Sequence, residues 1–224
     1  MTAILENFFD PTVFRRSTTL LWIGVGNLLR LALVAFLLAL VLGIVLAAMR
    51  NSRIPALQQA QIWFVDVVRA LPPLVSLVIV FYLTPPVYGF SLSTYQAAVL
   101  TFGIVQGAYV GEIYRGGLLA VSRGQHEAAT ALGMTALQTG LYVVAPQVLR
   151  VIIPPLTSQA TQLVRDSSLT FFIGYQEVVT QAKLAVTANS NSTPYTMAIG
   201  IYAVLLVSLQ LLSTTLERRQ ARGA

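Results

Sequence analysis

Polar and charged residues crowd one short stretch of an otherwise apolar part of the sequence. Gln162, Arg165 and Asp166 have the spacing that places side chains on one face of a helix. That face would present a side-chain carbonyl, a cation and an anion together, the set that binds a zwitterionic solute. Arg165 would bind the carboxylate, and Asp166, Ser167 or Ser168 would bind the ammonium group. Alternatively, Arg165 and Asp166 form ion pairs between two protein chains and never contact a solute.

The two preceding apolar segments carry further candidates. Gln106, Tyr109 and Glu112 could line the same cavity, although Tyr and Gln are also ordinary polar contacts between membrane helices. Asp66 and Arg69 stand three residues apart, close enough to pair on a helix. We expect this pair either to act as a gate or to serve only as a structural ion pair.

The residue inventory excludes several classes of chemistry. The chain has no cysteine and a single histidine, His126, so it has no disulfide or thiolate site, and a zinc site would need several carboxylates in addition. It also lacks the glycine-rich phosphate-binding loop that ends in Lys-Ser or Lys-Thr. We therefore predict no metal site, no cofactor and no catalytic residue in this chain, which we do not expect to be an enzyme.

Composition indicates the compartment. Of the 224 residues, 56% are hydrophobic and 10% are charged, and the mean hydropathy is +0.73, whereas soluble domains carry about 25% charged residues. The sequence therefore predicts an integral membrane protein. The formal net charge of +6 would suggest nucleic acid as the partner of a soluble protein. Here most basic residues flank apolar segments, where they set orientation in the bilayer, so no nucleic-acid partner is predicted.

Five apolar segments are long enough to cross a hydrocarbon core about 30 Å thick as helices. They cover residues 18–49, 58–83, 91–120, 143–170 and 194–216. Pro85 and Pro86 should end the second segment, and Pro154 and Pro155 should interrupt the fourth. No internal repeat divides the chain. The sequence thus predicts one all-α membrane domain with five transmembrane helices over residues 18–216.

Orientation follows from the basic residues beside the spans, because Lys and Arg are retained on the cytoplasmic side. These residues are Arg50, Arg53, Arg115, Arg123 and the arginines of a basic tail at residues 217–224. The pattern predicts an external N-terminus and a cytoplasmic C-terminus, with residues 1–17 as a periplasmic or interfacial segment. Arg15 and Arg16 are contrary evidence, partly offset by two nearby acidic residues. Arg30 would extend its charge toward the membrane surface.

The loop at residues 121–142 has the chemistry of two short helices joined by a turn. Two pairs have the spacing of a capping box, namely Ser122 with Gln125 and Thr135 with Gln138. A strong helix-forming run lies between them and stops at Gly133, the residue type that ends helices with a positive φ. Such short helices need a packing partner. The loop is therefore either a docking surface for another protein or an ordered connection between two spans.

The loop also carries a motif of fixed spacing. Its members are Glu127, Ala128, Ala129, Gly133, Val143, Ala145 and Pro146. The spacing resembles the EAA signature of binding-protein-dependent ABC importer permeases, with Val and Ala in place of the family's usual Ile and Leu. Four further segments resemble the polar amino-acid branch of that family (histidine, glutamine and glutamate type), at residues 108–118, 146–150, 153–156 and 165–169. Permeases of this branch are short chains with five spans.

The resemblance implies a type I importer fold, in which the loop between the third and fourth spans is a cytoplasmic coupling helix. That helix would sit in a cleft of an ATP-binding subunit, so that closure of the ATPase pair rocks the membrane helices. Its contact residues would be Gly124, Glu127, Ala128, Ala129 and Gly133. ATP and Mg would be bound by the partner. The implied assembly contains two ATP-binding subunits, a second permease chain and an external substrate-binding protein, all at the bacterial inner membrane.

With this resemblance, the sequence predicts the permease subunit of an ATP-driven importer for a polar amino acid. Both a homodimer and a heterodimer of permease chains are compatible with it. The alternative is a secondary transporter or channel, driven by an ion gradient through the region of Arg165 and Asp166. That alternative lacks internal inverted repeats and leaves the ordered loop unexplained. A membrane scaffold that transports nothing would keep the loop but gives no reason for the charged fourth span.

Overall fold

The computed structural model describes the backbone of residues 7–221 and the side chains of residues 7–216. From Pro11 onward its α-helices are α1 (Pro11–Arg50), α2 (Pro55–Ala70), α3 (Pro73–Tyr88), α4 (Thr94–Ala120), α5 (Arg123–Ala131), α6 (Ala136–Gln138), α7 (Ala145–Asp166), α8 (Val178–Asn189) and α9 (Thr193–Ala221). A π-helical segment, Thr139–Val144, precedes α7, and a 3-10 helix, Ser167–Ile173, follows it. No strand occurs in the described part of the chain.

Helix α1 is a single element of 40 residues. It begins at Pro11, seven residues before the span that was predicted from residue 18. The cause is a strong local start signal, in which the carboxylate of Asp10 accepts hydrogen bonds from the backbone N–H groups of Thr12 (2.7 Å) and Val13 (3.3 Å) and a proline fills the first helical position. That residues 1–17 lie at the membrane interface stays a prediction, and residues 1–6 fall outside the described part.

The largest contact in the fold is between α1 and α4. Glycines recur every fourth residue along one face of α4, at Gly103, Gly107 and Gly111, and leucine side chains of α1 fill the space above them. A Cβ atom at Gly107 would lie 2.8 Å from a side-chain carbon of Leu42, and one at Gly111 would lie 3.0 Å from Leu46. This stripe of small residues lets the two backbones approach closely, which is how helices associate in membranes without a hydrophobic driving force.

The second predicted span is not one straight helix. Helices α2 and α3 meet at an angle of 102°. Leu71 precedes Pro72 and is extended (ψ 133°), because the proline ring disfavours helical geometry in the residue before it. The predicted stop at Pro85 and Pro86 is also wrong. Helix α3 continues through both prolines to Tyr88, where Gly89 caps it with φ +73° and donates its N–H to the carbonyl of Pro85 (2.9 Å).

The fourth span is one continuous helical run from Ala136 to Ile173, which begins before the predicted residue 143. The predicted interruption at Pro154 and Pro155 is wrong, since α7 runs through both. The hydroxyl of Thr157 donates to the carbonyl of Pro154 (2.7 Å) and gives this turn a side-chain hydrogen bond. Departure from α geometry occurs at the two ends instead, where the π segment and the 3-10 helix lie.

Helices α8 and α9 complete the core against α1. Leu21, Leu28, Val164 and Val178 form one buried cluster, and a second one, around Phe102, joins α1, α3, α4 and α7. In the described part, four helices are long and apolar enough to cross a membrane, and the bent pair α2 and α3 is a fifth span if the two are counted as one. Helix α8, within the connection between the last two spans, was not predicted.

Candidate functional site

A buried carboxylate lies at the C-terminal end of α7. The two oxygens of Asp166 accept hydrogen bonds from the amides of Gln106 on α4 (3.3 Å) and Gln162 on α7 (2.9 Å). Asp166 is only 8% exposed and Gln106 only 1%. The carbonyl oxygen of the Gln106 side chain has no hydrogen-bond partner among the described residues. This side chain therefore keeps an unused acceptor beside the carboxylate.

The charge of Asp166 is not neutralised by its neighbour Arg165. No ion pair joins them, and the Arg165 side chain lies on an exposed face of α7. The two serines that follow are engaged within their own helix. The hydroxyl of Ser167 donates to the carbonyl of Val164 (2.7 Å), and that of Ser168 donates to the carbonyl of Arg165 (2.8 Å). The hydroxyl oxygen of Ser168 can still accept a hydrogen bond, whereas Ser167 is fully buried.

A second polar group lies between α2 and α4. Glu112 pairs with Arg115 on its own helix (2.8 Å) and accepts a weak hydrogen bond from Gln61 (3.5 Å). The predicted pair of Asp66 with Arg69 is not formed, because the guanidinium of Arg69 stacks on the ring of Tyr109, 4.8 Å from its centroid. Aromatic faces attract guanidinium groups in this way. A cavity of about 110 Å³ is lined by Arg50, Gln61, Ile62, Val65, Asp66, Arg69 and Glu112.

The structure thus divides the predicted residues into two groups along α4. Gln106 joins Asp166 and Gln162, whereas Tyr109 and Glu112 face α2. Gln61 was not predicted from sequence; it is 1% exposed and has a side-chain oxygen without a partner among the described residues. A sequence signal for Gln61 was available, because it lies four residues before Val65 and therefore on the same face of the helix as that apolar residue.

Arg30 forms part of an aromatic cluster. Its guanidinium lies 5.0 Å from the ring centroid of Tyr95, and that ring lies 6.0 Å from the ring of Tyr175. The hydroxyl of Tyr175 donates to the backbone carbonyl of Asn27 (3.0 Å). Sequence spacing predicted no partner for Arg30, because Tyr95 and Tyr175 both lie outside α1.

Glu177, at the start of α8, is a buried acid that the sequence analysis did not single out. One oxygen accepts hydrogen bonds from the backbone N–H groups of Val179 (2.9 Å) and Thr180 (3.1 Å), and the other accepts from the hydroxyl of Tyr202 on α9 (2.8 Å). Burial raises the pKa of the Glu177 carboxyl, and these hydrogen bonds oppose part of that rise. Its role as a helix cap was readable, since an acidic side chain precedes a helix-forming run.

The loop between α4 and α7 carries the motif residues on a short, exposed helix. Helix α5 ends in a Schellman turn, in which Gly133 adopts φ +76° and the N–H of Met134 donates to the carbonyl of Ala129 (3.1 Å). Ser122 makes no capping box, because its side chain does not bond the helix, whereas Thr135 and Gln138 form both bonds of theirs.

Most of this helix faces outward. Gly124, Glu127 and Ala128 are exposed, and Ala129 is buried against the rest of the chain. The neighbouring apolar residues are also exposed, and Leu132 reaches 81%. A Cβ atom added at Gly124 or Gly133 would meet nothing within 4 Å. The loop therefore presents an ordered, small and partly apolar surface that the described chain leaves uncovered.

Comparison with known proteins identifies the family. The family described as binding-protein-dependent transport system inner membrane component matches residues 39–222, most of the chain. The chain belongs to this family. The permease is thus a multi-pass inner-membrane protein of the ABC importer type.

Curated relatives are permeases of amino-acid systems. This permease is 33% identical over 201 residues to the L-cystine transport system permease protein TcyB of Bacillus subtilis (strain 168), with 89% of this chain and 86% of that protein covered. It is 32% identical over 205 residues to the probable glutamine ABC transporter permease protein GlnP of the same organism, with 89% and 93% covered. The permease is therefore a component of the amino-acid ABC importer family.

Solved structures show the same fold. The crystal structure of an amino acid ABC transporter with histidines matches this permease with a TM-score of 0.85 at 29% identity, and covers 94% of this permease and 98% of that chain. An inward-facing structure of the MetNI methionine ABC transporter matches with a TM-score of 0.71 at 22% identity. The permease thus has the type I ABC importer permease fold.

Proposed function

We propose that this permease carries a polar amino acid across the bacterial inner membrane, in a pathway that it forms with a second permease chain. Its relatives include permeases of L-cystine and glutamine systems. The observation that carries the proposal is Asp166, a carboxylate that is buried within a candidate membrane span without a cation paired to it. A buried charge held only by amides is costly, and in membrane helices such residues mark substrate pathways.

In this proposal the residues of α7 bind both ends of the solute. Arg165 is exposed and unpaired with Asp166, so it is free to form a bidentate pair with the solute carboxylate. Asp166 accepts the ammonium group, aided by the free acceptor of Gln106. Gln162 orients Asp166, and the hydroxyl oxygen of Ser168 is a further acceptor, whereas the predicted Ser167 is fully buried.

The second polar group supplies the gate in this proposal. Arg69 stacks on Tyr109 at the end of α2 beside the bend to α3, so a change in that bend would move the cation relative to α4. Asp66 and Glu112 flank the same small cavity. Movement of α2 against α4 would therefore open or close a polar passage to the cytoplasmic side.

Energy for the transport comes from partner subunits in this proposal. Two ATP-binding subunits hold ATP and Mg, and each receives α5 of one permease chain, with Gly124, Glu127, Ala128 and Gly133 at the contact. Ala129 supports the helix from its buried side. An external substrate-binding protein delivers the amino acid. The exposed apolar residues around α5 favour this role, because an ordered apolar surface outside the bilayer marks an interaction site.

A matched pair of glycine variants tests the coupling role. Gly133 and Gly89 have the same left-handed backbone (φ +76° and +73°) and the same open surroundings, but they lie in different loops. Gly133→Asp should reduce ATP-driven uptake by the reconstituted importer to background, because it strains and charges the docking surface. Gly89→Asp carries a similar backbone cost and should retain uptake. Normal uptake by Gly133→Asp would contradict the coupling role.

A second pair tests the substrate site. Asp166→Asn keeps the side-chain volume, and Gln106 and Gln162 can rotate their amides to preserve its hydrogen bonds. Loss of a charge-assisted bond of about 2 kcal/mol should raise the amino-acid concentration needed for half-maximal uptake about thirtyfold. Asp10→Asn, which keeps a capping side chain at the start of α1, should leave this concentration within about threefold of wild type. If Asp166→Asn leaves the concentration for half-maximal uptake unchanged, Asp166 does not contact the solute. Separately, uptake without any ATP-binding subunit would overturn the importer proposal.

A further inference from the structure

A wide groove separates the first halves of α1 and α9. Its volume is about 1140 Å³, above the range of about 300–1,000 Å³ that is typical of small-molecule sites. Leu21, Val25, Met197 and Ile201 contribute apolar lining. The walls carry four aromatic side chains, at Phe8, Phe9, Phe14 and Trp22. Trp22 is 67% exposed and Phe9 is 63% exposed, so the groove opens onto the outer surface of two membrane helices.

One cation lies among the groove residues. Arg15 lines the groove and is exposed, whereas Arg16 is exposed but does not line it. Among the described residues of the lining, the one acidic side chain is Asp10, and its carboxylate accepts hydrogen bonds from the hydroxyl and N–H of Thr12 (both 2.7 Å). These bonds lower the pKa of Asp10 and hold its carboxylate against the N-terminus of α1, whose partial positive charge offsets part of the negative charge. The groove is therefore apolar along its length with a positive charge at the rim.

This combination fits a lipid better than a small polar ligand or a protein helix. Acyl chains need a long apolar lining that is continuous with the surrounding bilayer, and a headgroup needs a polar rim at the level where aromatic and basic residues gather. A basic side chain near the membrane surface favours anionic over neutral headgroups. A partner helix would leave the charge of Arg15 facing an apolar neighbour, which is unfavourable.

We infer that the groove between α1 and α9 binds one anionic phospholipid per permease chain, with its acyl chains along the groove and its phosphate at Arg15. The site lies near Asp10 and Thr193, at the end of the helix pair away from the loop that contains α5. The inference does not depend on the transported solute. It assigns the first half of α1 a role in holding a lipid.

The test uses two matched pairs of variants. Gly200 lines the groove and Gly26 does not, and a Cβ atom at either position meets nothing within 4 Å. Gly200→Phe should fill the groove, and Gly26→Phe places the same ring on a membrane helix outside it. Arg15→Gln removes the rim charge, and Arg16→Gln removes a charge one residue away. The permease is purified in its native complex and stripped of lipid with detergent. It is then titrated with phosphatidylglycerol or phosphatidylethanolamine, and native mass spectrometry counts the bound lipid.

The expected result is one tightly retained phosphatidylglycerol per permease chain. Gly200→Phe should abolish that retention and Arg15→Gln should weaken it about fivefold, while Gly26→Phe and Arg16→Gln bind as wild type does. Equal retention of both lipids, or equal loss in the two members of a pair, would overturn the inference. A Gly200→Cys variant distinguishes a protein occupant, because the chain has no native cysteine. Disulfide-linked permease dimers in oxidised membranes would assign the groove to a second copy and refute the lipid site.

Discussion

Glu177 is an acidic residue that is completely buried, although glutamate side chains are usually exposed. Its carboxyl is fully buried outside the membrane spans and ties the start of α8 to Tyr202 of α9. Because burial raises the pKa of this group, the folded state retains a proton at pH values where the unfolded chain has released it. The group therefore favours folding most below the ordinary value of 4.5, and that stability is lost as pH rises toward the raised value.

The raised pKa of Glu177 predicts how the stability of the protein changes with pH. Glu177→Gln removes the titration while keeping acceptor and size, so the thermal midpoint of the variant in detergent should rise relative to wild type as pH increases from 4.5 toward neutrality. Glu127→Gln, on the exposed helix α5, is the control and should show a constant difference. A constant difference for Glu177→Gln as well would mean that the carboxyl does not change protonation on unfolding.

Some of the polar geometry was predictable from sequence at this scale. The spacing of Gln162 and Asp166 correctly placed them on one face, because a helical register relates residues four apart without tertiary information. The stacking of Arg69 on Tyr109 and the hydrogen bond of Gln106 to Asp166 were not readable, since they depend on which faces of α2, α4 and α7 meet. Local spacing even favoured a pair between Asp66 and Arg69 that the structure does not contain.

At the scale of elements, the contact of α1 with α4 depends on the glycine stripe of α4. Gly107→Val should force the two helices apart and lower the free energy of unfolding by about 2 kcal/mol, the usual cost of overpacking. Gly116→Val is the matched control on the same helix, because a Cβ atom there meets nothing within 4 Å. Chemical or thermal unfolding in detergent, followed by tryptophan fluorescence, measures both. Equal stability of the two variants would show that α1 can shift without cost.

Some helix boundaries could be predicted from the sequence and others could not. The spans of α4 and α9 were predicted within a few residues, because their apolar runs have clear local boundaries such as the capping box of Ser93 and Gln96. Four prolines, at positions 85, 86, 154 and 155, predicted helix breaks that the structure does not contain. The bend between α2 and α3 lies at Pro72, where extended geometry precedes the proline, whereas Pro154 and Pro155 sit inside a continuous helix. Whether a proline breaks a helix depends on the packing around it, which one sequence does not report.

The whole molecule has an orientation that can be measured directly. Ala136 and Ala188 are both exposed, and one membrane crossing, α7, separates them. The basic loops predict that Ala136 is cytoplasmic and Ala188 external. With no native cysteine in the chain, Ala188→Cys should react with a membrane-impermeant maleimide in spheroplasts, and Ala136→Cys only after permeabilisation. The reverse pattern would invert the topology, and with it the proposed cytoplasmic position of α5.

The long-range contacts of α1 have a consequence for how the chain is made. The amide of Asn27 donates to the carbonyl of Gln176, 149 residues later, and the N–H of Asp10 donates to Thr193, 183 residues later. At about 5–20 residues per second, the ribosome needs about 10–40 s to supply those partners. Helix α1 therefore spends that time in the bilayer with part of its surface unmatched. Its packing is complete only after α8 and the start of α9 have been synthesised.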